Sequence, residues 1–307
     1  MKSRYQEPAP RRTNPERFSF MSADGLSIAC VKWESRGRRR GIVQIAHGLG
    51  EHMGRYAELA DTLVDHGFAV YGNDHRGHGL TARTSGGLGD FGRGGFNQIV
   101  EDMVSLRVIA KHDYRHIPYI LLGHGMGSFA AQQFILDHSH SVDGLALSGS
   151  GILDGLLPIA PGAHSAHETM GSLMSATFEP ARTPFDWLSR DTTQVDAFMA
   201  DPLCFSSLQP TSMESFFNAA PRLSDPRELR KIRQDLPIYL FSGSNDPVGQ
   251  QLEGVRVLID RYRSVGLSMI DHDFYLGGRH EMLHEKNRQA VIAFLLAWMT
   301  YIAERAA

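Results

Sequence analysis

The chain has 307 residues, 42% of them hydrophobic, and a net charge of −3 with acids and bases mixed along its length. That is ample for a sizeable core in one large domain or two smaller ones, and it excludes the basic stripe of a nucleic-acid-binding protein. The two cysteines, Cys30 and Cys204, lie far apart in no metal-ligand spacing, which argues against a disulfide framework and for a cytoplasmic location.

The opening stretch, MKSRYQEPAPRRTNPERF, is polar and lacks the apolar segment of a secretory signal. Residues 17–34 predict a hairpin, two alternating runs about the turn pair Asp24-Gly25. The dense basic run Arg36–Arg40 is expected to be a solvated turn between strands. Apolar runs and helical patterns then alternate. Strands are predicted at 41–48, 68–74, 118–124 and 142–150, with helices at 55–67, 96–112 and 128–138. From 151 to 230 the chain is rich in Pro, Met, Phe and polar residues without strand-like runs. The alternation resumes with strands at 236–246 and 267–278 and helices at 252–266 and 284–303. The last helix contains VIAFLLAWMTYIA, which falls short of the roughly 20 residues that span a bilayer. It predicts a buried helix, with no stable membrane insertion. Strands alternating with helices imply an α/β fold with a mostly parallel, doubly wound sheet. The expected division is a core of 1–150 and 231–307, with 151–230 as a helical cap inserted after about the sixth strand.

Ligands of such sheets bind outside the carboxyl ends of the strands. The residues there are His47-Gly48-Leu49-Gly50, Asp74 to Gly79, Gly123 to Gly127, Asp246 and His280. The third group, in LLGHGMGSFA, has the form of an elbow between strand and helix, with Gly123 and Gly127 supplying flanks without bulk. In the Gly-x-Ser-x-Gly elbow the centre is a nucleophilic serine and the next amide helps form an oxyanion hole. Here the centre is Gly125 and the next amide is Met126. A second amide is expected from the loop after the third strand, at Leu49; two amides aimed at one point stabilise an acyl-transfer oxyanion. Asp246 and His280 follow later strands in the chain order nucleophile, acid, histidine. Taken singly, an Asp before Pro is an ordinary turn residue, a His after Gly-Gly an exposed one, and a Gly-x-x-x-Gly a helix-packing pair. Their joint order and placement give them meaning.

With these residues the chain resembles the monoglyceride lipase and lysophospholipase branch of the α/β-hydrolases, also described as serine aminopeptidase-like. The resemblance rests on His47-Gly-Leu-Gly-Glu-His52 with Gly54-Arg55-Tyr56 and on Asp74-His75-Arg76-Gly77-His78-Gly79. It rests further on Gly123-His124-x-Met126-Gly127, on Gly277-Gly278-Arg279-His280-Glu281, and on the cap stretches Phe185–Arg190 and Asp201–Cys204. It implies a serine hydrolase of short- or medium-chain esters that needs no cofactor and works through an acyl-enzyme. Asp246 and His280 would be the triad acid and base, and Leu49 and Met126 the oxyanion donors. The departure is the nucleophile: the family pattern Gly-His-Ser-Met-Gly is here Gly-His-Gly-Met-Gly.

Glycine tolerates the elbow's backbone conformation, so the fold should survive, while a triad without its nucleophile keeps only about 10³–10⁴-fold over water. Water in the freed space, activated by His280, would give slow background hydrolysis. Ser128, a helical turn away, is expected to cap or pack the helix start rather than replace the nucleophile. Intact partners around Gly125 favour a deliberately inactivated variant. The alternatives are a natural pseudoenzyme that binds a hydrophobic small molecule, or a scaffold for amide, lactone or thioester bonds. His75 and His78 beside Asp74 look superficially like a metal site but fall short of a ligand set, so no metal is expected. His47 and His52 are expected to hold their loop by hydrogen bonds, and His138, His140 and His284 to lie on the surface. Among Met170, Met174, Phe178, Phe185, Trp187, Phe198, Met199, Phe205, Met213, Phe216 and Phe217, some should line an acyl pocket. Arg182 and Arg190 are candidate contacts for an anionic substrate. The ester and the oligomeric state are left open.

Overall fold

The computed structural model describes residues 14–159, 174–178 and 180–306. Among these, one sheet holds β1 (Glu16–Met21), β2 (Ser27–Trp33), β3 (Gly41–Ala46), β4 (Phe68–Asn73), β5 (Tyr119–His124), β6 (Gly144–Ser148), β7 (Ile238–Gly243) and β8 (Ile270–Tyr275). Their order is β1-β2-β4-β3-β5-β6-β7-β8. β1 and β2 are the expected hairpin, with Phe20 opposite Ile28, and β2 runs antiparallel to β4. Every later pairing is parallel. β3, β4, β5 and β7 are buried along their whole length. That is why they read as continuous apolar runs rather than alternating ones.

Helices cover both faces. On one lie α1 (Ala57–Asp65) and the C-terminal helix α9 (Arg288–Ala306), whose Leu59, Leu63, Val291, Leu295 and Met299 pack on Val43, Val70 and Leu122. On the other lie α2 (Gly95–Asp113), α3 (Met126–His138) and α8 (Glu253–Ser264), whose Ile99, Met103, Phe129, Phe134 and Leu258 pack on Ile42, Leu121 and Leu145. The apolar C-terminal stretch is thus half of one helical layer, and no described helix is long and apolar enough to cross a membrane.

Between β6 and β7 the described residues form short helices and no strand: α4 (Thr192–Ala200), α5 (Pro210–Phe217), α6 (Ala220–Ser224) and α7 (Pro226–Leu229). Their starts are written in the sequence. The Asp191 and Asp225 carboxylates cap α4 and α7 by accepting the amides of Thr193 and Arg227, and prolines open α5, α6 and α7. α5 docks by Phe216, whose ring centroid lies 5.0 Å from that of Phe96 and 5.7 Å from that of Phe129. The rest of the segment is stitched to loops at the carboxyl end of the sheet. The Phe205 amide donates to the Gly50 carbonyl (3.0 Å) and the Glu281 amide to that of Leu188 (2.8 Å).

Several strands end before their apolar runs do: β3 at Ala46 rather than 48, β7 at Gly243 rather than 246, β8 at Tyr275 rather than 278. The leftover residues turn out of the sheet and build the loops of the site. The order reverses at β3, with β4 on one side and β5 on the other. The crevice outside such a reversal is where open α/β sheets bind ligands, and the loops after β3 and β5 meet there.

Candidate active site

α3 begins at Met126, directly after Gly125, two residues earlier than its apolar pattern suggests. One residue therefore makes the whole turn. Gly125 does so with φ 51° and ψ −122°, a conformation that is strained for any residue with a side chain. The flanking glycines are required by contact: a Cβ on Gly127 would lie 2.1 Å from the Ala46 carbonyl oxygen, and one on Gly123 would lie 2.6 Å from that of Gly127. The Gly125 amide donates to the Ser148 carbonyl (3.0 Å), which ties the elbow to β6.

The direction of the missing side chain is the informative quantity. A Cβ built on Gly125 would sit 3.0 Å from His280 Nε2 and 3.5 Å from the Cα of Gly48. On the other edge of the same ring, His280 Nδ1–H donates to Asp246 Oδ1 (3.0 Å). Asp246 is fully buried, and the same oxygen accepts the Val248 amide (2.9 Å). With its proton held on Nδ1, the imidazole presents the Nε2 lone pair to the space above Gly125. The Trp187 ring lies against it, with centroids 4.9 Å apart, and the His280 amide donates to the Trp187 carbonyl (3.3 Å). Leu49 and Met126 line the same cavity as Gly125 and His280. Neither of their amides is hydrogen-bonded among the described residues. The Met126 amide opens α3, where unpaired N–H groups carry the positive end of the helix dipole.

A family model described as serine aminopeptidase, S33 matches residues 37–287. The chain belongs to this family. It is 28% identical over 283 residues to the monoacylglycerol lipase of Mycolicibacterium smegmatis, covering 92% of this chain and 95% of that one. To the human monoglyceride lipase it is 27% identical, covering 92% and 90%. Its fold superposes on a thermostable carboxyl esterase from Bacillus coagulans with a TM-score of 0.85 at 30% identity, covering 94% of this chain and 99% of that one. The architecture is the α/β-hydrolase fold.

In this member of the serine aminopeptidase S33 family, burial pushes His280 toward the neutral form, but the charge and hydrogen bond of Asp246 outweigh it and raise the imidazole above its ordinary value. The sign for stability follows: the raised value makes this pair stabilise the fold fully below a pH of about 6.5 and progressively less as pH rises through the folded-state value. The neighbouring His124, whose ring centroid is 4.7 Å away, goes the other way. Burial first, and then the charge of His280, lower it to about 4, so it stays neutral.

A buried brace, whose residues carry the family resemblance without a role of their own in the sequence, joins the two loops. Arg55 donates to Glu51 Oε2 (2.7 Å) and through both terminal nitrogens to Glu281 (2.5 and 2.7 Å). Glu51 Oε1 accepts the Gly48 amide and the Tyr56 hydroxyl, each at 2.6 Å. Burial opposes the charge of both carboxylates, but Arg55 outweighs it and holds them below the ordinary range. Arg55 thus fixes the loop that carries Leu49 to the loop that carries His280. The signal was available in the spacing: an acid and an arginine four apart, and an acid beside the histidine.

Other expectations fare variously. Ser128, fully buried, donates to the Gly125 carbonyl (2.6 Å) and accepts from Ser150 Oγ (2.8 Å), so its hydroxyl is spent on the helix start. His47 does hold the loop, with Nδ1 on the Gly48 carbonyl (2.8 Å) and Nε2 accepting the His75 amide (2.9 Å). The Asp74 carboxylate accepts the amides of Met53 and Leu80, and His78 Nδ1 pairs with the Arg76 carbonyl, so this trio serves loop geometry. His52, Asp201 and Cys204 do come together. However, His52 Nδ1 accepts the Gly54 amide (3.2 Å), which keeps its proton on Nε2 facing Asp201 (3.0 Å), where a metal would need the lone pair. His284 is a correction. It is buried, not on the surface, with Nε2 donating to the Arg55 carbonyl (3.1 Å). Arg190 pairs with Glu285 (3.0 Å) and Arg182 with Asp196 (2.7 Å), and neither lines the cavity above Gly125.

The cavity above Gly125 measures about 50 Å³ and is walled by Met174, Phe185, Trp187, Phe198, Phe205 and Phe216 from between β6 and β7. Met213 and Phe217 go to the core instead, Met199 is exposed, and Phe178 lies under the Arg279 guanidinium. Met170 lies outside the described residues. The two acids at its edge, Glu51 and Glu281, are the ones tied to Arg55.

Proposed function

We propose that this chain is a carboxylic-ester hydrolase scaffold of the monoacylglycerol lipase type in which the nucleophile position is vacant. In this reading Asp246 and His280 are the acid and base, the Leu49 and Met126 amides form the oxyanion hole, and Gly125 marks the missing serine. Residues 151–230 act as a cap on a core of 1–150 and 231–307. The observation that carries it is the Cβ vector of Gly125, which points at His280 Nε2 and ends 3.0 Å from it, on the side where a nucleophilic side chain would meet its base. The names of the relatives support an ester as substrate. The mostly apolar walls of a small cavity, whose two acids are tied to Arg55, support a short, neutral acyl group. Intact partners around an empty position support inactivation by one replacement rather than gradual decay. The same intact pocket favours a second reading, in which the chain binds a hydrophobic small molecule without turnover.

The test is a substrate profile of Gly125→Ser against p-nitrophenyl esters, a monoacylglycerol, a lactone, a thioester and an anilide. Rapid turnover confined to the esters upholds the reading. Preference for the anilide or lactone, or no turnover with a normal fold, overturns it. In the same variant, kcat/KM should rise with pH through a midpoint above 6.5, because the base must be neutral and Asp246 raises it. Adding Asp246→Asn should move that midpoint down and cut the rate by on the order of 10⁴-fold. A pH profile with an unmoved midpoint would remove Asp246 from its role.

A further inference from the structure

We propose that the chain as it stands accepts water or a small alcohol in the place of a side chain at position 125, and passes the acyl group of a bound ester directly onto it. This rests on the ester reading above and adds a second substrate to it. Three observations carry it. The room exists beside the elbow: Gly125 and His280 both line a cavity of about 50 Å³, against the roughly 10–15 Å³ that one water needs, while the direct gap is narrow, a Cβ on Gly125 lying 3.0 Å from Nε2. The base is aimed: with Nδ1–H committed to Asp246 and the ring held against Trp187, the Nε2 lone pair faces that room. The hydroxyl nearest the elbow does not compete, since Ser128 is hydrogen-bonded into the helix start; Ser206, which lines the cavity from the segment between β6 and β7, is the protein nucleophile the experiment must check.

The step balances without a co-reactant. His280 Nε2 takes the proton of the incoming alcohol as its oxygen bonds to the acyl carbon. The carbonyl electron pair moves onto oxygen and is held by the Leu49 and Met126 amides. It returns as the bond to the original alcohol breaks, and the imidazolium gives its proton to that leaving oxygen. One ester and one alcohol enter, and a new ester and the released alcohol leave; with water the product is the acid. A cavity of about 50 Å³ shared with the acyl group selects by size, so methanol is accepted and a branched alcohol is not.

The experiment follows p-nitrophenol release from p-nitrophenyl butyrate by the unaltered chain as methanol is raised, beside 2-propanol, with intact-protein mass spectrometry. The expected result is a rate that climbs and saturates with methanol but not with 2-propanol, methyl butyrate as product, and no butyryl-protein. His280→Gln should lower the methanol-dependent rate about 100-fold or more. Gly125→Ala, which fills the room, should abolish it while circular dichroism shows the fold retained. A rate indifferent to methanol, an equal response in His280→Gln, or a butyryl adduct on Ser206 overturns the proposal. If Gly125→Ser hydrolyses the ester rapidly while the unaltered chain ignores methanol, only this proposal falls. If both are inert and folded, the ester reading falls with it.

Discussion

Replacing Gly125 by serine is expected to raise the turnover of a p-nitrophenyl short-chain ester by on the order of 10⁴- to 10⁶-fold. The size of the effect follows from what is already in place. In the proposed reading His280 is the base and is oriented by Asp246, the unpaired Leu49 and Met126 amides receive the developing negative charge, and preorganised donors of that kind supply much of the rate enhancement in acyl transfer. In that reading only the attacking atom is missing. The gain comes with a structural cost. At φ 51° a serine is strained where glycine is not, by about 1–3 kcal/mol. Its Cβ would also press on His280 Nε2 at 3.0 Å, so the imidazole must draw back by a few tenths of an ångström. The variant should therefore melt a few degrees lower than the unaltered chain while being far more active. A thermal melt beside the rate assay reads both. Equal or higher stability with no activity would mean that the elbow conformation is not the one described.

Arg55→Met is expected to cost about 3–5 kcal/mol of stability, because it removes one charge and strands two. Glu51 and Glu281 are only 1% and 3% exposed, and Arg55 is the cation that holds both. Deprived of it, the pair repel at the junction of the loop that carries Leu49 and the loop that carries His280. The melting temperature should fall by roughly 10 °C, and the loss should be greater near neutral pH than in mild acid, where protonation relieves it. Adding Glu51→Gln and Glu281→Gln to the same variant should recover part of the loss, since neutral amides leave no buried charge unpaired. A small change in Arg55→Met, or no recovery in the triple variant, would show that the brace does not couple the loops.

The fold was legible because its central strands are buried on both faces. GIVQIA, FAVYGN and YILLGH are runs that suit only the interior of a parallel sheet, and each is followed by a helical pattern of a different period. The site was legible in part because its residues occupy strand ends, where chain order fixes position: Gly125, Asp246 and His280 converge in space from loops after β5, β7 and β8. What was not legible is pairing. Whether an arginine meets a substrate or an acid depends on neighbours remote in sequence, as with Arg190 and Glu285 or Arg55 and Glu281. Burial of polar residues is hidden for the same reason, and His284 reads as a surface residue until Arg55 and Tyr56 are seen against it. The segment between β6 and β7 carries aromatic residues in no regular period, so it appears only in three dimensions that both Phe216 and Phe217 join the core while Phe216 alone also lines the cavity.

If position 125 is the nucleophile position of an otherwise assembled site, active-site labelling with a fluorophosphonate should reveal it, with the adduct mapped by peptide mass spectrometry. One stoichiometric adduct is expected on Gly125→Ser, located at position 125 and suppressed by His280→Gln, and none on the unaltered chain. An adduct on the unaltered chain at Ser128 or Ser206, or a folded Gly125→Ser that takes no label, would show that the site is not built around position 125.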